Sequence, residues 1–179
     1  MNGQSPMGGA VSATSSSSTV TEGGGGGSSL LIPYFSDGVA VGTLTFAGWT
    51  ENSGIVRAQR SENNGYFWSN DDGVVNPAGM RAIQISTAGN GGVWTLTGAV
   101  GSDVEDIASA SVGTTNYIYV VDSGDNGNAR ATFNIFRAVE PLITGAAGSL
   151  SNTATGYITI VSSYPSANLP SHKDCECAF

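Results

Sequence analysis

The chain has 179 residues, room for one ordinary domain, and its 14 acids against 6 bases give a net charge of −8. That balance argues against a surface that tracks nucleic-acid phosphates or an anionic membrane, and it permits cations as partners. Apolar content is 40% and glycine is abundant at 26 residues, which suits short strands and tight turns better than helices.

Residues 1–29 form a Gly/Ser/Thr-rich leader, including five consecutive glycines at 23–27. Such a segment cannot offset the entropy of ordering itself and reads as a disordered tail or linker. It shows no basic segment followed by an apolar stretch, so no signal peptide is visible. Nowhere does an apolar run approach the ~18 residues of a membrane helix. The folded domain is expected to occupy 30–179.

Within it, residues 39–47 (VAVGTLTFA) alternate as a strand does. The next begins at 51–56 (ENSGIV), and Tyr66-Phe67-Trp68-Ser69 runs into a turn, Asn70-Asp71-Asp72-Gly73. Residues 80–86 and 93–98 alternate again, so 51–98 holds four strand-like runs. Residues 103–161 repeat the plan at 103–108, 117–121, 132–138 and 157–161, with Pro141 and a Gly/Ala/Ser-rich stretch at 145–151 expected to form a long outer loop. No window carries a sustained i, i+3, i+4, i+7 apolar stripe, so helix should be nearly absent.

The two halves match in spacing. Glu51 and Asp103 stand 52 positions apart (103 − 51), and Tyr66 and Tyr117 stand 51 apart (117 − 66). The openers ENSGIV and DVEDIA are followed by a third, Asp174-Cys175-Glu176-Cys177-Ala178-Phe179. Four-stranded units of this size suggest blades of a β-propeller, somewhat longer than the usual ~40–50 residues. The expectation is an all-β chain forming a partial β-propeller: two four-stranded antiparallel blades, near 51–98 and 103–161, and the start of a third near 174. Because rings need at least ~4 blades, the chain reads as an N-terminal fragment whose partners include further blades, with open edges prone to association.

The motifs SGIV (53–56), WSNDDG (68–73), DVEDIA (103–108), YIYVVDSGDN (117–126), Arg130, FRAVEP (136–141) and DCECAF (174–179) resemble those of a family of bacterial and algal proteins. These are predicted β-propellers, similar to the six-bladed NHL and TolB-like group. The family's usual forms are W-x-x-N-D-S-G, D-W-E-D-[IL]-A and Y-[ILV]-x-D-I-G-D-N, then an Arg and an E-P. Here Asp72 replaces the usual Ser, Val104 the Trp and Ser123 the Ile. The resemblance covers roughly 50–179. It implies the propeller fold, further blades after Phe179 and an extracellular or cell-surface location, and it implies little about activity.

Several carboxylates are candidate ligands. On an extended chain Asp103 and Glu105 share one face and Asp106 takes the other; Asp174 and Glu176 repeat that face. Convergent oxygens suit a hard cation such as Ca²⁺. The competing reading, which the repetition favours, is that each acid accepts backbone N–H bonds and braces the blades. Asp122, Asp125 and Asn126, like Asn70–Asp72, lie in turns that partly match a calcium loop. Gly124 fills the middle ligand position of the first, Phe133 stands where its bidentate Glu should be, and Trp68 takes the first position of the second. Tight-turn chemistry accounts for both more simply.

His172, Cys175 and Cys177 lack a second ligand pair for zinc, and the two cysteines are too close for an ordinary disulfide framework. His172 is the sole histidine, and no nucleophile elbow is present. Trp49, Trp68 and Trp94 have the side chains that stack on sugars, but packing between sheets is the simpler reading, and Arg130 is expected to pair with Glu140. The reading is a non-catalytic binding or scaffold module with Ca²⁺ as its candidate cofactor. The alternative is a cation-dependent hydrolase (esterase, lactonase or phytase type) at a propeller channel, on fold analogy alone.

Overall fold

A computed structural model describes residues 40–44, 50–72, 78–127 and 129–163. The expectations for the 1–29 leader, Trp49, His172 and the 174–179 opener with Asp174 and Glu176 lie outside the described residues. Within them the chain is all-β. Its strands are β1 (Ile55–Arg57), β2 (Tyr66–Ser69), β3 (Gly79–Gln84), β4 (Gly89–Leu96), β5 (Asp106–Val112), β6 (Thr115–Asp122), β7 (Thr132–Val139), β8 (Gly148–Leu150) and β9 (Tyr157–Ser163). One 3-10 turn, Ser61–Asn63, interrupts the β1–β2 connection. No helix among the described residues is long and apolar enough to cross a membrane.

Two sheets result. The first has the order β1-β2-β3-β4-β8 and the second β5-β6-β7-β9. The runs β1 to β4 and β5 to β7 are antiparallel meanders, and β9 closes the second sheet against β7. Among the described residues neither sheet is closed on itself.

Period-two alternation explains the layering. Trp68, Met80, Ala82, Trp94 and Leu96 project from one face of the first sheet; Ile107, Ile118, Val120, Phe136, Ala138 and Tyr157 project from the facing side of the second. Together they form one buried core between the sheets. Trp68 and Trp94 meet edge to face at 5.1 Å, and Phe136 and Tyr157 do so at 6.2 Å, the arrangement that aromatic quadrupoles favour.

Tyr157 also donates its hydroxyl to the Thr97 carbonyl at 2.9 Å, and burial raises its pKa above the ordinary 10.0. The folded state therefore keeps this proton at a pH where the unfolded chain has released it, so stability falls as pH rises above ~10. Tyr157→Phe is expected to lose ~1 kcal/mol at neutral pH, for one hydrogen bond, and to flatten that alkaline decline. Urea titrations at neutral and alkaline pH test both; equal alkaline slopes in the two proteins would exclude this role for the phenol.

Two expectations are corrected. Residues 40–44, taken as part of a strand over 39–47, form none. The stretch at 145–151, taken as outer loop, contains β8, which crosses to the first sheet and pairs parallel with β4. Close approach makes this pairing feasible: a Cβ at Gly148 would sit 2.6 Å from Trp94 Nε1, so only glycine lets the strand lie over the indole.

Candidate functional site

The acids of the two turns are committed to holding the chain. Asp71, just after β2, accepts the backbone N–H groups of Thr50 and Glu51, both at 3.0 Å. Asp122, at the end of β6, does the same for Ser102 and Asp103, both at 2.9 Å. In each sheet a carboxylate at the end of the second strand fixes the segment that leads into the first.

Asp122 is fully buried and ion-paired. Arg130 Nη2 meets its Oδ2 at 2.7 Å and Nη1 its Oδ1 at 3.1 Å, a two-pronged contact, and Asn134 Nδ2 adds a bond to Oδ2 at 3.0 Å. The expected Arg130–Glu140 pair is thus replaced by Arg130–Asp122. The register that sets Asp122 opposite Asn134 leaves Arg130 beside Asp122, while Glu140 turns to the first sheet. Asp125 accepts the N–H groups of Ala129 (2.7 Å) and Arg130 (3.1 Å), closing the loop between β6 and β7. In the first sheet, burial lowers the pKa of Arg81, and the charge of Asp71 opposes that shift.

Asp72, Asp103 and Glu105 come together, each with an oxygen within 4.8 Å of the others. Asp72 follows β2 of the first sheet, and Asp103 and Glu105 precede β5 of the second, so the group straddles the junction of the sheets. Alternation on an extended segment places it: Val104 is buried in the core, and its carbonyl accepts Asn70 Nδ2 at 2.9 Å. Asp106 is engaged elsewhere, Oδ1 accepting its neighbour Ile107 N–H at 2.7 Å. Asn126 donates to Asp103 Oδ2 from Nδ2 (3.2 Å) and from its backbone (3.4 Å). Gly124 lies against the group, where a Cβ would collide with Asp103 and Glu105.

Oxygens that all lie within 4.8 Å of one another could share one hard cation such as Ca²⁺, which takes carboxylate oxygens as ligands. Without a cation, like charges this close disfavour one another. Of the sequence candidates, Asp103 and Glu105 share this group and Asn126 touches it. Asp122 and Asp125 serve the ion pair and the loop. Asp72 lies in the acidic turn at 70–72, whose partial match to a calcium loop reads more simply as tight-turn chemistry.

A cleft of about 340 Å³ lies elsewhere, by the 3-10 turn and the β5–β6 hairpin, with Arg60, Glu62, Asn116 and Glu140 in its wall. Its acids are engaged: Glu62 pairs with Arg60 at 2.9 Å, and Glu140 holds four N–H groups. No protein-family model, curated protein or solved structure matches the chain.

Proposed function

We propose that the chain is a non-catalytic binding or scaffold module of β-propeller type, its two sheets adjacent blades, with Ca²⁺ held by Asp72, Asp103 and Glu105 at the blade junction. One observation carries this reading: three carboxylates from two different sheets converge within 4.8 Å, where a divalent cation would turn their repulsion into a cross-link. The shared role of Asp71 and Asp122 supports treating the sheets as two instances of one design.

Calorimetric titration with Ca²⁺ tests the metal. Heat is expected for the wild type and for neither Asp103→Ala nor Glu105→Ala. Thermal melts add a second readout: Ca²⁺ is expected to raise the melting temperature of the wild type and to leave that of Asp72→Asn unchanged. Absence of heat from the wild type, together with no Ca²⁺-dependent shift of its melt, rules the cation out. Hydrolysis of an ester, lactone or phosphate-ester panel that chelation abolishes would instead favour the hydrolase.

A further inference from the structure

We propose that Asn126 is a modification site: it deamidates spontaneously through the backbone nitrogen of Gly127, which turns a side chain that now donates to Asp103 into a carboxylate. This inference rests on the loop after β6 and is independent of the cation.

The step consumes water and needs no enzyme. The Gly127 nitrogen attacks Asn126 Cγ to form a cyclic imide, and its proton leaves with the Nδ2 group as ammonia. Water then opens one of the two imide carbonyls, giving aspartate or isoaspartate with nothing oxidised or reduced. Asparagine is a thermolabile side chain, and a following glycine helps because no Cβ crowds the attacking nitrogen.

Three Asn-Gly pairs lie among the described residues, at 64–65, 90–91 and 126–127, and packing separates them. Gly91 is buried within β4, where a Cβ would sit 2.7 Å from the Tyr66 ring and 3.0 Å from Ala82. Asn90 Oδ1 also accepts the Gly92 N–H at 3.0 Å, so closing an imide there requires β4 to open locally. Asn64 is exposed, but its Oδ1 accepts Arg57 Nη2 at 3.0 Å, which holds the amide in place. Asn126 and Gly127 are both exposed, and nothing lies within 4 Å of a Cβ built on Gly127. The bonds of Asp125 Oδ1 to the Ala129 and Arg130 N–H groups close the loop around the pair, so it can rearrange without opening β6 or β7. The side chain itself is tied only by the 3.2 Å bond to Asp103 Oδ2.

The product matters because of what Asn126 faces. Asp103 already shares its surroundings with Asp72 and Glu105. Aspartate at 126 replaces a hydrogen-bond donor with a fourth carboxylate, so an attraction becomes a repulsion. Isoaspartate does the same and also lengthens the main chain of the loop.

Peptide mapping by mass spectrometry, on the full 179-residue chain sampled during incubation at mildly alkaline pH, tests this. Aspartate and isoaspartate are expected to accumulate at 126 at least about tenfold faster than at 90, and ahead of 64. In urea, where packing no longer distinguishes the pairs, the three rates should converge. Gly127→Ala, whose methyl meets nothing, should fold as the wild type does and slow the reaction at 126 about tenfold, leaving 64 and 90 unchanged. Asn126→Asp, standing for the product, should melt below the wild type at low ionic strength, with the gap narrowing in salt. An Asn126 that stays intact in the folded chain overturns the proposal. So does a rate at 126 no higher than at 64 or 90, or one indifferent to Gly127→Ala. Equal melts of Asn126→Asp and the wild type at both ionic strengths overturn the consequence drawn for the Asp103 contact.

Discussion

Glu140→Ala is expected to lower the unfolding free energy by about 3–5 kcal/mol, among the largest losses for any single side chain here. Glu140 follows β7 of the second sheet, is 1% exposed, and its carboxylate reaches the first sheet. Oε1 accepts Asn63 Nδ2 at 2.7 Å and Trp68 Nε1 at 3.1 Å; Oε2 accepts the backbone N–H groups of Gln59 and Arg60 at 3.0 and 2.9 Å. The same turn is clamped further, because Asn63 also bonds the Pro141 carbonyl and accepts the Ile143 N–H, both at 2.9 Å. One buried negative charge is therefore held by four N–H groups of the opposite sheet, and charged hydrogen bonds are the strong ones.

Alanine would orphan all four donors. Those of Gln59 and Arg60 are partly exposed and can turn to water; those of the fully buried Asn63 and Trp68 cannot. The last two set most of the cost, at ~1–3 kcal/mol each. Glu140→Gln keeps the shape but turns an NH₂ toward two donors in either orientation, so about half the loss is expected. Urea titration at constant m-value measures both. A loss under ~1 kcal/mol for the alanine variant would falsify the idea that this carboxylate ties the sheets.

Alternation made most of the strands legible, because each long strand has one face in the shared core. Met80, Ala82, Ile118, Val120, Phe136 and Ala138 lie two residues apart within their strands for that reason. The failures share one cause: the deciding contact is distant. Residues 40–44 alternate but find no partner strand, and β8 is three residues whose pairing depends on a glycine fitting over Trp94, 54 positions away (148 − 94). Glu140 meets Asn63 and Trp68 at separations of 77 and 72 residues. Its signal was the Glu-Pro pair after a strand, which marks a position and names no partner. For the carboxylate group, spacing on an extended segment sufficed to put Asp103 and Glu105 on one side. Adding Asp72 required the docking of one sheet on the other.

The buried ion pair yields the second large effect, an asymmetric one. Asp122→Ala is expected to cost about 3–5 kcal/mol and Arg130→Met about 1–3, with the double variant well short of the sum. Asp122 is fully buried and accepts five bonds, of which Arg130 supplies two. Removing the arginine leaves the carboxylate three N–H donors, from Ser102, Asp103 and Asn134. Removing the carboxylate frees all five donors, including the two that fix the segment carrying Asp103 and Glu105. Arg130, with 18% of its side chain exposed, can then reach water while keeping its 2.7 Å bond to the Gly124 carbonyl. The arginine variant thus keeps the opener in place, and the aspartate variant loosens it. Urea titrations of the four proteins give the cycle; additive losses, or an Arg130→Met cost above that of Asp122→Ala, contradict this division of labour. Calorimetry separates it from a general loss of stability: Asp122→Ala should weaken Ca²⁺ binding about tenfold although Asp122 is no ligand, and Arg130→Met should leave it within about twofold, because the cation's grip depends on where the Asp103 backbone is held.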